Sequence, residues 1–158
     1  MKTYILDFEE VLKSFEPYHQ SLLSIQKDKQ DFSNLIDSIK KEMETIVNSS
    51  KSLILDDVTQ QKNQLRFREL QNAAVQAETD FRANIVTKQN EELEKNFNEI
   101  IKLVNDWASK NNIDLVVNKN TVVFVKPEFE ITNDIIGIIK NNGLFKEYSE
   151  GMYDVQAV

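Results

Sequence analysis

Few residues in this sequence have the types and spacing that catalysis or metal binding requires. His19 is the only histidine and there is no cysteine, so a metal site built from nitrogen and sulfur ligands is not expected. Asp56 and Asp57 are neighbours, and neighbouring side chains point apart on a helix, so they are better explained as favourable charges at a helix start. The sequence has no glycine-rich phosphate loop and no nucleophile elbow. It predicts a protein that is not an enzyme and uses no cofactor.

Composition also argues against several binding functions. The 158 residues have 19 Lys and Arg against 26 Asp and Glu, a net charge of −7, and no basic stripe, so nucleic acid is not an expected partner. No stretch approaches the roughly 18 apolar residues of a membrane span, so direct membrane insertion is not expected. The first residues, Met1–Asp7, do not form a secretory signal peptide. As written, the chain is expected in the cytoplasm, with the periplasm as the alternative if Met1 begins a mature form.

Long helices must position the remaining candidate residues. Between Pro17 and Pro127 the sequence contains neither proline nor glycine. From Phe15 to Ile46, steps that alternate between three and four residues meet an apolar side chain every time except at Lys29, which is a heptad pattern. Serines and other turn-forming residues follow, so we predict the tip of a helical hairpin near residues 48–53, with Ser52 as the N-cap of the returning helix.

The returning helix has two apolar seams that are out of phase. A spacing of four through Phe81, Ile85, Gln89 and Leu93 indicates a stutter between them, where the helix pairing is locally unwound. The first seam is Phe67, Leu70, Ala74, Ala77 and Phe81, and the second is Leu93, Phe97, Ile100, Val104 and Trp107.

Short β-prone segments flank the helices. Tyr4–Leu6 precedes them, and residues 113–117 alternate with the period of two that strands have. Turn residues at 118–120 and a returning strand at 121–125 predict a β-hairpin. Three short strands do not form a stable sheet alone, so several chains are expected to combine theirs. The residues predicted at this oligomeric body are Ile5, Ile113, Leu115, Val117, Val123 and Phe124.

The predicted fold class is α+β, with a long antiparallel helical hairpin, a coiled-coil arm, inserted between strands of a small β body. We predict four regions. Residues 1–16 form the first strand and short helix of the body, residues 17–111 the arm, residues 112–142 the β-hairpin and closing helix of the body, and residues 143–158 a C-terminal tail.

Three segments resemble the Skp/OmpH-like chaperones. Tyr4–Leu12 is similar to that family's first strand and short helix, Asn112–Asn118 to its strand after the arm, and Ile131–Ile136 to its closing helix. The resemblance covers about residues 3–142, with the hairpin matched in pattern and length only. It implies a homotrimer whose strands complete the body, and an ATP-independent holdase that encloses unfolded client proteins between its arms. Without a signal peptide, the chain would be a divergent member, such as a phage-encoded one.

The residues proposed for client binding lie off the seams or beside the stutter. Residues 18–111 hold 13 Lys and Arg against 15 Asp and Glu, so overall charge does not favour acidic clients. An alternative function is a structural coiled-coil adaptor or assembly component that binds one folded partner. A prefoldin-like assembly fits less well, because its β-hairpin lies between its helices. The candidate client-binding residues are Leu53, Ile54, Leu55, Phe67, Phe81, Ile85 and Val86.

Overall fold

The computed structural model describes residues 1–51 and 55–153. Within these ranges the chain is mostly helical, with long helices and one small parallel sheet. Two short 3-10 helices, Lys119–Thr121 and Pro127–Phe129, follow the second strand. The other elements in chain order are β1 (Thr3–Leu6), α1 (Phe8–Lys13), α2 (Glu16–Ser50), α3 (Asp57–Lys110), β2 (Leu115–Asn118) and α4 (Thr132–Asn141).

The chain divides into two compact units. We call residues 25–88 the arm, and residues 1–24 together with 89–153 the body. Helices α2 and α3 contribute residues to both units. The predicted regions place their limits at helix ends, whereas the compact units divide within these two helices.

The body contains a two-stranded parallel sheet. Strands β1 and β2 pair in parallel, with Ile5 opposite Val117. On the same strand, Ile5 also bridges Glu130, and its carbonyl oxygen accepts a hydrogen bond from the Ile131 amide at 2.9 Å. Strands that are distant in sequence therefore form this sheet, rather than neighbours joined by a tight turn.

The predicted β-hairpin is wrong for this chain. A tight hairpin turn of the favoured type needs positive φ at its central residues. Residues 119–121 instead form a 3-10 helix, and among the described non-glycine residues only Asn112 has positive φ. The turn is held by an ion pair between Lys119 and Glu130 at 2.8 Å. Residues 122–125 therefore follow β2 in the chain but do not pair with it.

The core of the body joins both ends of the chain. Asp7 accepts a hydrogen bond from the Glu10 amide at 3.0 Å and so caps α1. Ile135 and Ile139 line one face of α4, and Ile131 at its N-cap continues the same spacing of four. The buried cluster consists of Leu6, Val11, Phe15, Ile100, Val104, Ile131, Ile135 and Ile139.

In the arm, α2 and α3 pack antiparallel along the predicted α2 seam. The rings of Phe32 and Phe81 stack, with centroids 4.1 Å apart and planes 4° apart. Lys88 pairs with Asp28 at 2.6 Å, and Ile39 and Ile85 are buried. Since early residues of α2 meet late residues of α3, the two segments form a hairpin.

The second predicted seam of α3 is correct only at its C-terminal end. Ile100 and Val104 are buried, but Leu93 and Phe97 are 49% and 42% exposed. One residue earlier in each case, Glu92 is half-buried and Asn96 is buried. The Ser21 hydroxyl donates to Glu92 Oε2 at 2.6 Å and accepts from Asn96 Nδ2 at 2.9 Å. We call Ser21, Glu92 and Asn96 the polar layer.

Candidate functional site

The arm exposes large apolar side chains outside its helix-helix seam. Exposed fractions range from 42% at Val47 to 66% at Val75. Scattered apolar residues are common on protein surfaces, but here they recur along both helices of one hairpin. They provide separate small contact points rather than one enclosed pocket. The exposed apolar residues of the arm are Leu35, Val47, Val58, Leu65, Val75 and Val86.

The seven residues proposed for client binding occupy different environments. Leu53 and Ile54 lie outside the described residues, and Leu55 is half-buried in the connection. Phe81 stacks on Phe32, and Ile85 is only 5% exposed, so both belong to the packed interior of the arm. Val86 is 55% exposed.

Phe67 contributes to a groove between the end of α2 and the start of α3. This groove has a volume of about 460 Å³. Its apolar surface comes from Ile46, Val47 and Phe67, and its polar surface includes Lys51 and Arg68. We call it the arm groove. Phe67 counted in the sequence as the first residue of a seam of the returning helix, and Ile46 as the last residue of the α2 seam.

Sequence reasoning missed several exposed residues of the arm. Leu35, Leu65 and Val75 are 49%, 57% and 66% exposed. All three are apolar and absent from the predicted seams, and Val86 was proposed for client binding on the same ground. A search for every off-seam apolar residue would have found them.

Charged side chains fix the pairing of the arm helices. Arg66 Nε donates to Glu42 Oε1 at 2.7 Å, and a second guanidinium nitrogen donates to Oε2 at 3.1 Å. These hydrogen bonds, together with the positive charge, hold the pKa of the Glu42 carboxyl below its ordinary value and raise that of Arg66. Because the pair joins α2 to α3, it favours one alignment of the two helices.

Asp56 caps the start of α3. Its carboxylate accepts a hydrogen bond from the Thr59 amide at 2.6 Å, and this bond lowers the pKa of Asp56. The interpretation of Asp56 and Asp57 as helix-start charges agrees with this geometry. The predicted cap at Ser52 lies outside the described residues.

The six residues predicted at an oligomeric body also differ in exposure. Ile5 is buried, and Ile113 and Val117 are half-buried. Leu115 is 43% exposed, while Val123 and Phe124 are almost fully exposed. The last two belong to the segment that leaves β2 without a partner strand. The body therefore presents an apolar segment beside a short sheet.

The C-terminal residues form a strap over the start of α2. Lys146 donates its amide to the Ser14 carbonyl at 3.0 Å, and Phe145 bridges Phe15 in antiparallel fashion. Fully buried His19 lies beneath, with Nε2 2.6 Å from the Lys13 carbonyl oxygen and Nδ1 2.7 Å from the Tyr153 hydroxyl. Nε2 must therefore donate, and Nδ1 accepts from the hydroxyl. We call residues 144–153 the strap.

Residues 1–51 and 55–153 contain neither a cluster of metal ligands nor a membrane-spanning helix. No three or more His, Cys, Asp or Glu side chains there are grouped to hold a metal ion. None of the helices in those ranges is both long enough and apolar enough to cross a membrane.

The described chain combines a helical hairpin that exposes apolar residues with a body that contains a small parallel sheet. The family model described as "Outer membrane protein (OmpH-like)" matches residues 2–139. The chain belongs to this OmpH-like family. Membership is consistent with a Skp-like chaperone. The strap lies beyond the matched residues.

A distant relative covers most of the same chain. An uncharacterized protein from Aquifex aeolicus (strain VF5) is 20% identical over 131 residues, which are 83% of this chain and 81% of the relative. Its name assigns no activity.

Proposed function

We propose that this protein is an ATP-independent holdase chaperone that keeps unfolded polypeptides from aggregating. The observation that carries the proposal is the set of exposed apolar side chains along both helices of the arm. Each offers a weak contact, and many weak contacts on one chain bind an unfolded polypeptide through a high effective concentration. Such contacts also release the polypeptide without a chemical energy source, because none of them is individually strong.

We also propose that the working form is a homotrimer, as the family resemblance implies. A two-stranded sheet is only marginally stable, and its free edge can accept another strand. Val123 and Phe124 are 106% and 80% exposed and directly follow β2 and its 3-10 turn. Burial of these side chains against neighbouring copies would remove an exposed apolar segment and extend the sheet. Binding, rather than catalysis, is the activity that we assign to the assembly.

An aggregation assay tests the holdase proposal. A chemically unfolded client is diluted into buffer with the protein at equal amounts and no nucleotide, and light scattering is followed. We expect the wild-type protein to suppress scattering, and the triple variant Leu35→Ser, Val75→Ser, Val86→Ser to lose most of this effect. The matched control is Lys40→Ser, Asn72→Ser, Asn84→Ser, which changes exposed polar residues of the same helices. Equal suppression by both variants would contradict the proposal, provided that circular dichroism shows both folded.

A further inference from the structure

The arm groove differs in charge from the rest of the chain. The protein has a net charge of −7. The described residues that line the groove nevertheless include two cations, Lys51 and Arg68, and no carboxylate. Within residues 1–51 and 55–153 neither cation forms an ion pair, whereas nearby Arg66 is held by Glu42 and Glu69. The two cations are therefore available to a bound anion.

The apolar part of the groove complements this charge. Val47 is 42% exposed, and the half-buried side chains of Ile46 and Phe67 lie beside it. A volume of about 460 Å³ is within the range of pockets that bind small ligands. Gln64 adds an amide that can donate to a carbonyl or carboxylate oxygen. The groove therefore combines an apolar floor with donors and positive charge.

We propose that the arm groove binds short polypeptide segments in which an aliphatic or aromatic residue lies next to Asp or Glu. This inference depends on the proposed holdase function and names the class of client segment that one site prefers. The apolar client side chain lies against Val47 and Phe67, and the carboxylate accepts hydrogen bonds from Arg68 or Lys51. At physiological ionic strength charges are screened over about 8 Å, so these two cations act on the segment more strongly than acidic residues elsewhere.

Peptide binding tests this inference. One fluorescently labelled, unstructured peptide contains leucine beside aspartate, and its partner has asparagine in place of every aspartate. Both are titrated with the wild-type protein and with the double variant Lys51→Gln, Arg68→Gln. Because an exposed ion pair changes affinity by roughly two- to fivefold, we expect the double variant to raise the Kd of the acidic peptide by about four- to twentyfold. The Kd of the asparagine peptide should change by less than about twofold.

A matched control variant removes the same charge elsewhere. Lys40→Gln, Lys62→Gln lies on the same two helices of the arm, on exposed residues that do not line the groove. We expect it to leave both Kd values nearly unchanged. An effect on the acidic peptide as large as that of Lys51→Gln, Arg68→Gln would overturn the inference, because net charge alone would then explain the binding. Val47→Ser should raise the Kd of both peptides, since it removes an apolar contact.

The outcomes separate this inference from the holdase proposal. If the protein suppresses client aggregation but does not distinguish the two peptides, the inference is wrong and the proposed function stands. If it neither binds peptide nor suppresses aggregation, the proposed function fails as well. Binding of phosphatidylglycerol vesicles through Lys51 and Arg68, without binding of the acidic peptide, would overturn the assignment to polypeptide. Self-association that Val47→Ser abolishes, without peptide binding, would assign the groove to a second copy of this chain.

Discussion

At the scale of single residues, the Glu42–Arg66 pair makes the stability of the arm depend on pH. The pKa of Glu42 in the folded arm lies below its ordinary value, first because Arg66 donates hydrogen bonds to it. A carboxyl with a lowered folded-state pKa stabilises the fold above its unfolded pKa, and this contribution is lost as the pH falls through the folded value. The pair is exposed, so the effect should be small.

We therefore predict that Arg66→Gln weakens the pH dependence of unfolding in acid. The thermal midpoint of the wild-type protein should fall between about pH 5 and pH 3, and that of the variant should fall less over the same interval. Circular dichroism at the helix signal measures both midpoints. Lys62→Gln removes an exposed cation from the same helix and serves as the control. If Lys62→Gln reduces the fall of the thermal midpoint in acid as much as Arg66→Gln does, the hydrogen-bonded pair is not the cause of the pH dependence.

The contact between His19 and Tyr153 makes a second residue-scale prediction. Tyr153→Phe removes the hydroxyl that donates to Nδ1 and leaves a fully buried acceptor without its partner. A buried polar atom without a partner costs about 1–3 kcal/mol, so we expect a loss of unfolding free energy in that range by urea titration. Tyr148→Phe is the control, because the Tyr148 ring lies against His19 and Lys13 and its hydroxyl forms no hydrogen bond in the described part of the chain. Equal losses for both variants would contradict a specific role of the Tyr153 hydroxyl.

At the scale of elements, the polar layer determines which face of α3 lies inside the body. Burial of Leu93 and Phe97 would satisfy the heptad pattern, yet Asn96 is buried and Glu92 half-buried, and both bond to Ser21. Phe97 then packs outside against Phe8, with ring centroids 4.5 Å apart. Buried polar groups of this kind select one arrangement of helices more than they stabilise it.

Two variants of the polar layer test this role. Ser21→Ala leaves Glu92 and buried Asn96 without their shared partner and should cost about 1–3 kcal/mol of unfolding free energy. The triple variant Ser21→Ala, Glu92→Leu, Asn96→Leu removes all three polar groups, and we expect it to recover this loss. Ser33→Ala, on an exposed position of α2, is the control for helix propensity. A triple variant less stable than Ser21→Ala would show that the polar layer stabilises the body.

The elements differ in how far the sequence could predict them. The α2 seam follows from residues within a few positions of each other, and its residues are buried or half-buried in the structure. The β-hairpin was wrong because β2 pairs with β1 at the far end of the sequence and residues 119–121 form a 3-10 helix, neither of which a local pattern indicates. The polar layer was missed for the same reason, since Ser21 and Glu92 are 71 residues apart.

The candidate site was predictable to the same extent. Periodicity identifies Val86 as off-seam, and the structure exposes it, whereas Phe67 counted as a seam residue and contributes to the arm groove. Ile85 was misplaced relative to the surface, because the stutter predicted a locally unwound helix pairing there, whereas Ile85 is buried. Where the seam of α3 runs depends on contacts with α2, which no pattern within α3 contains.

At the scale of the whole molecule, the exposed segment of the body around Val123 and Phe124 is the surface at which we propose that chains associate. We predict that wild-type protein sediments with three times the chain mass of 18.4 kDa, and that Val123→Asp, Phe124→Asp sediments as a single chain. Two charges at these positions would have to be buried without partners at an interface between copies. Lys126→Glu adds negative charge to the same region at an exposed residue and should leave the trimer intact. A variant Val123→Asp, Phe124→Asp that remains trimeric would place the interface elsewhere.

We propose that the arm holds unfolded polypeptides. Site-specific photo-crosslinking can locate a bound polypeptide on the chain. The sequence has no cysteine, so single cysteines introduced at Val75 in the arm and at Ser109 in the body each carry one photoreactive label. The labelled proteins are mixed with a chemically unfolded client upon dilution and then illuminated. If the arm holds the client, we expect strong crosslinks to the client from position 75 and few from position 109. Crosslinks that are equally frequent at both positions, or that come from position 109 alone, would contradict it.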